Sequence, residues 1–187
     1  MKWTLPGTVL EVQREDAAQI ETTFSSMFLA GGMALSQVAA ITGLEPYTIQ
    51  NWVKRGLLNP PNRKRYSMNQ LCRIITINML KSELPMERIC GLIGCINGKL
   101  DDETDDIIGD AQLYFLFVRL AAKIRQLSEP EQRERMLREV LSDYEEPVPG
   151  ARDRIAKALR VMLTTWAAAV IHREAELLLD ELEKQSI

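Results

Sequence analysis

The chain has 187 residues, 46% of them hydrophobic, which is too many aliphatic side chains for a disordered polypeptide and enough for one substantial core or two small ones. Its net charge of −3 conceals a division along the chain. Residues 33–99 carry nine Lys or Arg against three Asp or Glu, whereas residues 1–32 carry two against four and residues 100–187 carry twelve against nineteen, so positive charge is concentrated in one third of the molecule.

Residues 1 to about 12 read as a loose or extended arm. Ala17, Ile20, Phe24, Met27 and Phe28 then recur at helical spacing, which predicts a helix over 14–30 ending at Gly31-Gly32. A second helix follows at Ser36–Thr42, with Leu35, Val38, Ala39 and Ile41 on one face and Gly43 as its stop. After the turn Gly43-Leu44-Glu45, Pro46 occupies a first helical position that needs no backbone donor, and Ile49, Trp52 and Val53 mark the inner face of a third helix. The outer face of that helix carries Tyr47, Thr48, Gln50, Asn51, Lys54 and Arg55, hydrogen-bonding and cationic groups suited to base edges and phosphates. Two helices joined by a short glycine turn, the second bearing such a face, form a helix-turn-helix signature.

Gly56-Leu57-Leu58-Asn59-Pro60-Pro61 leads into Asn62-Arg63-Lys64-Arg65-Tyr66, a short basic wing. Placed directly after the helix-turn-helix, Arg63, Lys64 and Arg65 read as DNA contacts rather than a merely solvated turn. Tyr66 either reaches a phosphate through its hydroxyl or packs beneath the wing. Ser67 with Gln70 makes a capping box ahead of Leu71, Ile74, Ile75 and Met79, and a further helix begins near Pro85 with Met86, Ile89, Leu92, Ile93 and Ile96.

The series Gly43-x-x-Pro46-x-Thr48-Ile49-x-x-Trp52, then Gly56-Leu57-Leu58-x-Pro60 and Arg65-Tyr66-Ser67, resembles the winged helix-turn-helix head of MerR-type transcriptional regulators over about Met33 to Ile96. The whole chain resembles an uncharacterised bacterial family with such a head and an all-helical tail. The resemblance implies that Thr48, Gln50 and Asn51 approach the major groove while Arg63, Lys64, Arg65 and Tyr66 hold the flanking backbone. The chain departs from the MerR pattern in Glu45, in Gln50-Asn51 where an arginine and aromatic pair is more common, and in the shortness of its wing.

Past the head, a helix is expected over Asp101–Leu127, with the acidic run Asp101-Asp102-Glu103 and Asp105-Asp106 at its N-terminus. Its stretch Leu113–Val118 is apolar all round and so predicted to be buried on several sides. Glu129-Pro130 opens a shorter helix with Met136, Leu137, Val140 and Leu141. After Pro147-Val148-Pro149-Gly150 a last helix runs from about Arg152 to Lys184, with Ile155, Leu159, Met162, Trp166, Val170 and Leu177 in one stripe. At 1.5 Å per residue it is about 50 Å long, more than this head covers alone, so it packs on other tail helices or on a second subunit.

The remaining motifs read as structural. Cys72, Cys90 and Cys95 lie in apolar stretches and read as reduced, buried thiols; Cys90 and Cys95 are about 140° apart around a helix, which disfavours a shared metal ion. His172 has no partner at ligand spacing, and the acidic run lacks the alternating ligands and glycine of a calcium loop. Tyr114, Phe115, Phe117 and Trp166 read as core before they read as a ligand pocket. No nucleophile elbow, phosphate-binding glycine loop or metal cluster is present, so an enzyme is not expected and no cofactor or metal is assigned. No 18-residue apolar span or signal peptide is evident, and a cytoplasmic location is expected.

These readings combine into an all-α expectation: an N-terminal arm and helix (1–32), a MerR-like winged helix-turn-helix with a short wing (33–99), and a helical bundle with a long C-terminal helix for dimerisation or sensing (100–187). The expected function is a sequence-specific regulator of transcription that binds double-stranded DNA as a homodimer, with a small-molecule effector in the tail as an extension. The alternative is a helix-turn-helix used as a protein-interaction module without DNA.

Overall fold

In the computed structural model, which describes residues 2–98, 106–124 and 129–185, the chain is mostly helical with one small sheet. Strands β1 (Lys2–Thr4) and β2 (Glu11–Gln13) pair antiparallel, with Trp3 opposite Val12. The expected loose arm is therefore a hairpin, and its loop is clamped from below. The Tyr114 hydroxyl donates to the Pro6 carbonyl at 3.0 Å, and Asn78 Nδ2 donates to the carbonyls of Gly7 and Thr42, each at 2.9 Å. Gly7 has φ +75°, and a Cβ there would stand 2.4 Å from the Ile75 carbonyl oxygen, so only glycine lets the loop lie this close to the core.

The helix expected over 14–30 divides into a 3₁₀ segment, Arg14–Gln19, and α1 (Ile20–Met27). Ala17, Ile20 and Phe24 are buried as expected, whereas Met27 is exposed. Helices α2 (Leu35–Thr42), α3 (Pro46–Lys54), α4 (Met68–Leu80) and α5 (Met86–Asn97) follow, then α6 (Asp110–Lys123), α7 (Pro130–Val140) and α8 (Ala151–Gln185). The Ser67–Gln70 capping box at the start of α4 is present in both directions: Gln70 N donates to Ser67 Oγ, and Ser67 N to Gln70 Oε1.

The centre of the molecule is the packing of α4 on α6. Both are buried almost all round. In α4 this includes Leu71, Cys72, Ile74, Ile75, Ile77 and Leu80; in α6 it is the whole run Leu113–Val118. Between them lies a shielded ion pair, Arg73 Nε to Asp110 Oδ2 at 2.8 Å, with the two side chains 10% and 13% exposed. The 99/100 boundary thus falls between two helices that share one core.

Helix α6 begins at Asp110, nine residues after the start expected from the acidic run. Asp101 to Asp105 lie outside the described residues. Its N-terminus is set from afar, since the Ala111 N–H donates to Asn69 Oδ1 of the α4 first turn at 3.2 Å. The thiols also differ from expectation: Cys72 is buried, Cys90 half-buried and Cys95 exposed.

Helix α8 has two unlike halves. Ile155, Leu159 and Met162 are fully buried, and Trp166 closes this part with edge-on contacts to Trp3 and Phe117. His172 is exposed, with Nδ1 4.0 Å from Glu83 and Nε2 3.6 Å from Glu176. From residue 171 to 184 the helix is exposed throughout, Leu177 included. Contrary to the sequence reading, α8 does hold an 18-residue stretch long and apolar enough to cross a membrane, with mean hydropathy 1.2 and at most two charges. One third of that stretch is buried as core.

Removing Arg73 takes away the cation that faces the shielded Asp110 carboxylate. Arg73→Ala is expected to cost about 3–5 kcal/mol in urea unfolding, and the double substitution Arg73→Met/Asp110→Leu to recover most of it.

Candidate nucleic-acid interface

Helix α2 ends because Gly43 adopts the left-handed conformation, φ +68°, its N–H donating to the Ala39 carbonyl at 2.8 Å. Leu44 is buried in the turn, and Pro46 opens α3 at its first position. Ile49 and Trp52 point inward, 0% and 5% exposed, as their spacing predicts. Lys81, just past the end of α4, stands over the Trp52 ring, 5.9 Å from its centroid, and so tethers the inner face of α3 to the core.

With that face fixed, the outer face is fixed as well. Tyr47 is 70% exposed, Gln50, Lys54 and Arg55 are exposed, and Thr48 and Asn51 lie beside them on the same helix. Tyr47, Gln50, Asn51 and Lys54 follow one another at i, i+3, i+4 and i+7 and form one stripe.

The basic segment after α3 is a tight turn. Asn62 and Arg65 pair as an isolated bridge, with Arg65 N donating to the Asn62 carbonyl at 2.8 Å, and the two central residues, Arg63 and Lys64, have φ of +46° and +62°. Two successive positive φ values define a hairpin turn that ordinarily takes Asn-Gly. Its base is held on both sides. Met33 and Tyr66 exchange backbone hydrogen bonds at 2.9 and 2.8 Å, Arg65 Nη1 donates to the Gly32 carbonyl at 3.2 Å, and Gln70 Nε2 donates to the carbonyls of Asn59 and Pro60. Gln70 thus caps α4 and anchors the loop, a second role invisible in the capping motif.

Arg63, Lys64 and Arg65 are exposed at the turn, while Tyr66 is buried, 3% exposed, and burial raises its hydroxyl pKa. Of the two readings of Tyr66, the structure has the ring packed in the core beneath the basic turn. Among the described residues, no carboxylate lies within ion-pair distance of Lys54, Arg55, Arg63 or Lys64.

The left-handed conformation costs a non-glycine residue about 1–2 kcal/mol, partly offset by the extra backbone entropy glycine loses. Lys64→Gly is therefore expected to raise the melting temperature by about 2 °C, read by circular dichroism.

Residues 30–117 match a family described as a domain of unknown function, DUF1836. The match runs from just before α2 into α6, and so includes the helix pair, the basic turn and most of the α4–α6 core. An uncharacterised protein of Bacillus subtilis (strain 168), YkrK, is 27% identical over 110 residues, which is 57% of this chain and 47% of that protein. The chain thus aligns with about half the length of this relative. No solved structure matches the chain. Both matches support a place for it among an uncharacterised bacterial family.

Proposed function

We propose that this protein is a sequence-specific, double-stranded DNA-binding transcriptional regulator of the cytoplasm, with α2, α3 and the Asn62–Arg65 turn acting as a MerR-like winged helix-turn-helix. The observation that carries the reading is the α3 stripe Tyr47, Gln50, Asn51 and Lys54, uncovered on a helix whose inner face is locked, with the unpaired cations of the basic turn close behind in sequence. Amide side chains on such a stripe can pair bidentately with adenine edges, and unpaired cations give up no protein partner when they meet phosphate. Backbone strain kept at two charged residues, where Asn-Gly would relieve it, also supports a functional turn.

The protein acts as a homodimer. On the uncovered half of α8, Ile171, Ala175, Leu178 and Leu182 are spaced four, three and four residues apart, the repeat of a two-helix seam, and Ile171, Leu178 and Leu182 are 48%, 56% and 63% exposed. A second copy of the helix supplies the matching seam, and two heads then read a two-fold site.

Binding to genomic double-stranded DNA fragments across a salt series tests the first part. Steep salt dependence is expected, and in the Arg63/Lys64/Arg65 triple-alanine variant the log–log slope is expected to fall by about 0.9 for each phosphate no longer neutralised. Gln50→Ala is expected to alter sequence preference by about 1–3 kcal/mol at one position while leaving the slope unchanged. Absence of binding at low salt would transfer the α3 face to a protein partner. For the second part, sedimentation of wild type and of Leu178→Glu/Leu182→Glu is expected to give a dimer and a monomer; a wild-type monomer would refute the dimer.

A further inference from the structure

Away from the α3 face, a cleft of about 430 Å³ opens where the 3₁₀ segment meets the C-terminal ends of α6 and α7. That volume falls within the range of small-molecule sites. Two arginines line it, Arg14 from the 3₁₀ segment and Arg119 from α6. Both are half-buried, and in both the Nε atom is sealed from solvent with no hydrogen-bond acceptor. Arg119 has no ion-pair partner among the described residues, and Arg14 is met by the Trp3 ring, with its guanidinium carbon 5.3 Å from the centroid.

No carboxylate of the same wall forms an ion pair with Arg119 among the described residues, and Glu15, next to Arg14 in sequence, meets Arg14 only as a secondary charge interaction. Glu139 is taken by Lys123, Asp143 accepts from the Ser142 hydroxyl, and Glu15 is engaged in hydrogen bonds of its own, which lower its pKa. All three are exposed at the rim, whereas the arginines sit deeper. A sealed guanidinium Nε–H without an acceptor is unfavourable, and an anion delivered from solvent is a group that can supply one. Between the charged groups the wall is apolar, made by Ala17, Ala122 and Val140.

We infer that this cleft is a binding site for a small organic anion, whose carboxylate or phosphate is held by the planar forks of Arg14 and Arg119 and whose carbon body lies on the alanine and valine wall. The site is independent of the DNA reading and stands whether or not α3 meets a duplex. It gives a sensing role a defined address, which the aromatic cluster around Tyr114 does not, since that cluster is solid core.

The test is a titration of the full chain with benzoate and, separately, phenyl phosphate, against chloride at equal ionic strength, followed through the arginine Nε–H resonances. Saturable shifts are expected at Arg14 and Arg119 and not at Arg160, whose guanidinium is already paired with Glu134. The two probes distinguish a carboxylate from a phosphate site. Arg119→Gln is expected to weaken binding about tenfold or more while melting near the wild-type temperature in chloride, because no ion pair within the protein is lost and a sealed N–H without an acceptor is removed. Arg14→Gln gives the same reading from the other wall should the α6 variant fail to fold, and Arg160→Gln is expected to bind as wild type. Shifts that fail to saturate with either probe, or equal affinity in wild type and Arg14→Gln, would overturn the assignment.

Discussion

The packing of α4 against α6 is the constraint on which the rest of this structure depends. Each helix is apolar around nearly its whole circumference, so each needs neighbours on every side, and the remaining elements satisfy that demand. The N-terminal hairpin lies over them and is held by Tyr114 and Asn78; the 3₁₀ segment and α1 cover α6 with Ala17 and Phe24; and the inner half of α8 lies against α4, α5 and α6. Arg73 and Asp110 fix the register of the central pair. A shielded pair of this kind contributes little net stability but penalises every sliding of one helix that separates the charges.

Elements whose signals are local are legible in the sequence. The α2–α3 unit is specified by Gly43, Pro46 and the Ile49–Trp52 spacing within about ten residues, and the α4 start by Ser67 and Gln70 within four. Elements fixed from a distance are not legible. The hairpin at 2–13 is too short for an alternating pattern, and the residues that hold its loop are Asn78 and Tyr114, remote in sequence. The acidic run is an attractive local cap and draws the expected start of α6 too early, whereas the side chain that meets the helix end is Asn69, 42 residues before Ala111. Tyr66 shows the same limit: its place in a basic stretch leaves surface and core open, and its backbone pairing with Met33, 33 residues away, goes with a ring buried in the core.

The candidate surfaces separate by charge as well as by position. The basic third of the sequence supplies the α3 face and the tight turn, while the outer half of α8 carries five carboxylates against two cations between 171 and 184. A polyanion approaching the molecule is drawn to the basic surface and repelled from the acidic helix, so orientation is biased before any contact forms. The Arg14–Arg119 cleft differs from both, with two half-buried arginines set behind a rim of exposed carboxylates. On the proposed anion-site reading, such a rim disfavours large polyanions and leaves the recess to small ones.

The turn at Asn62–Arg65 has a consequence for how its cations act. Two adjacent residues held in the left-handed region, with backbone bonds closing the turn on both sides, have few alternative backbone shapes. Surface lysines and arginines usually sit on mobile loops and must surrender that mobility when they engage an anion. Here the main chain beneath Arg63 and Lys64 surrendered it when the protein folded, leaving only the side-chain rotamers to be ordered on contact. On the proposed DNA reading the turn is a preorganised prong, whose strain weakens the fold slightly and whose stiffness lowers the ordering cost of contact.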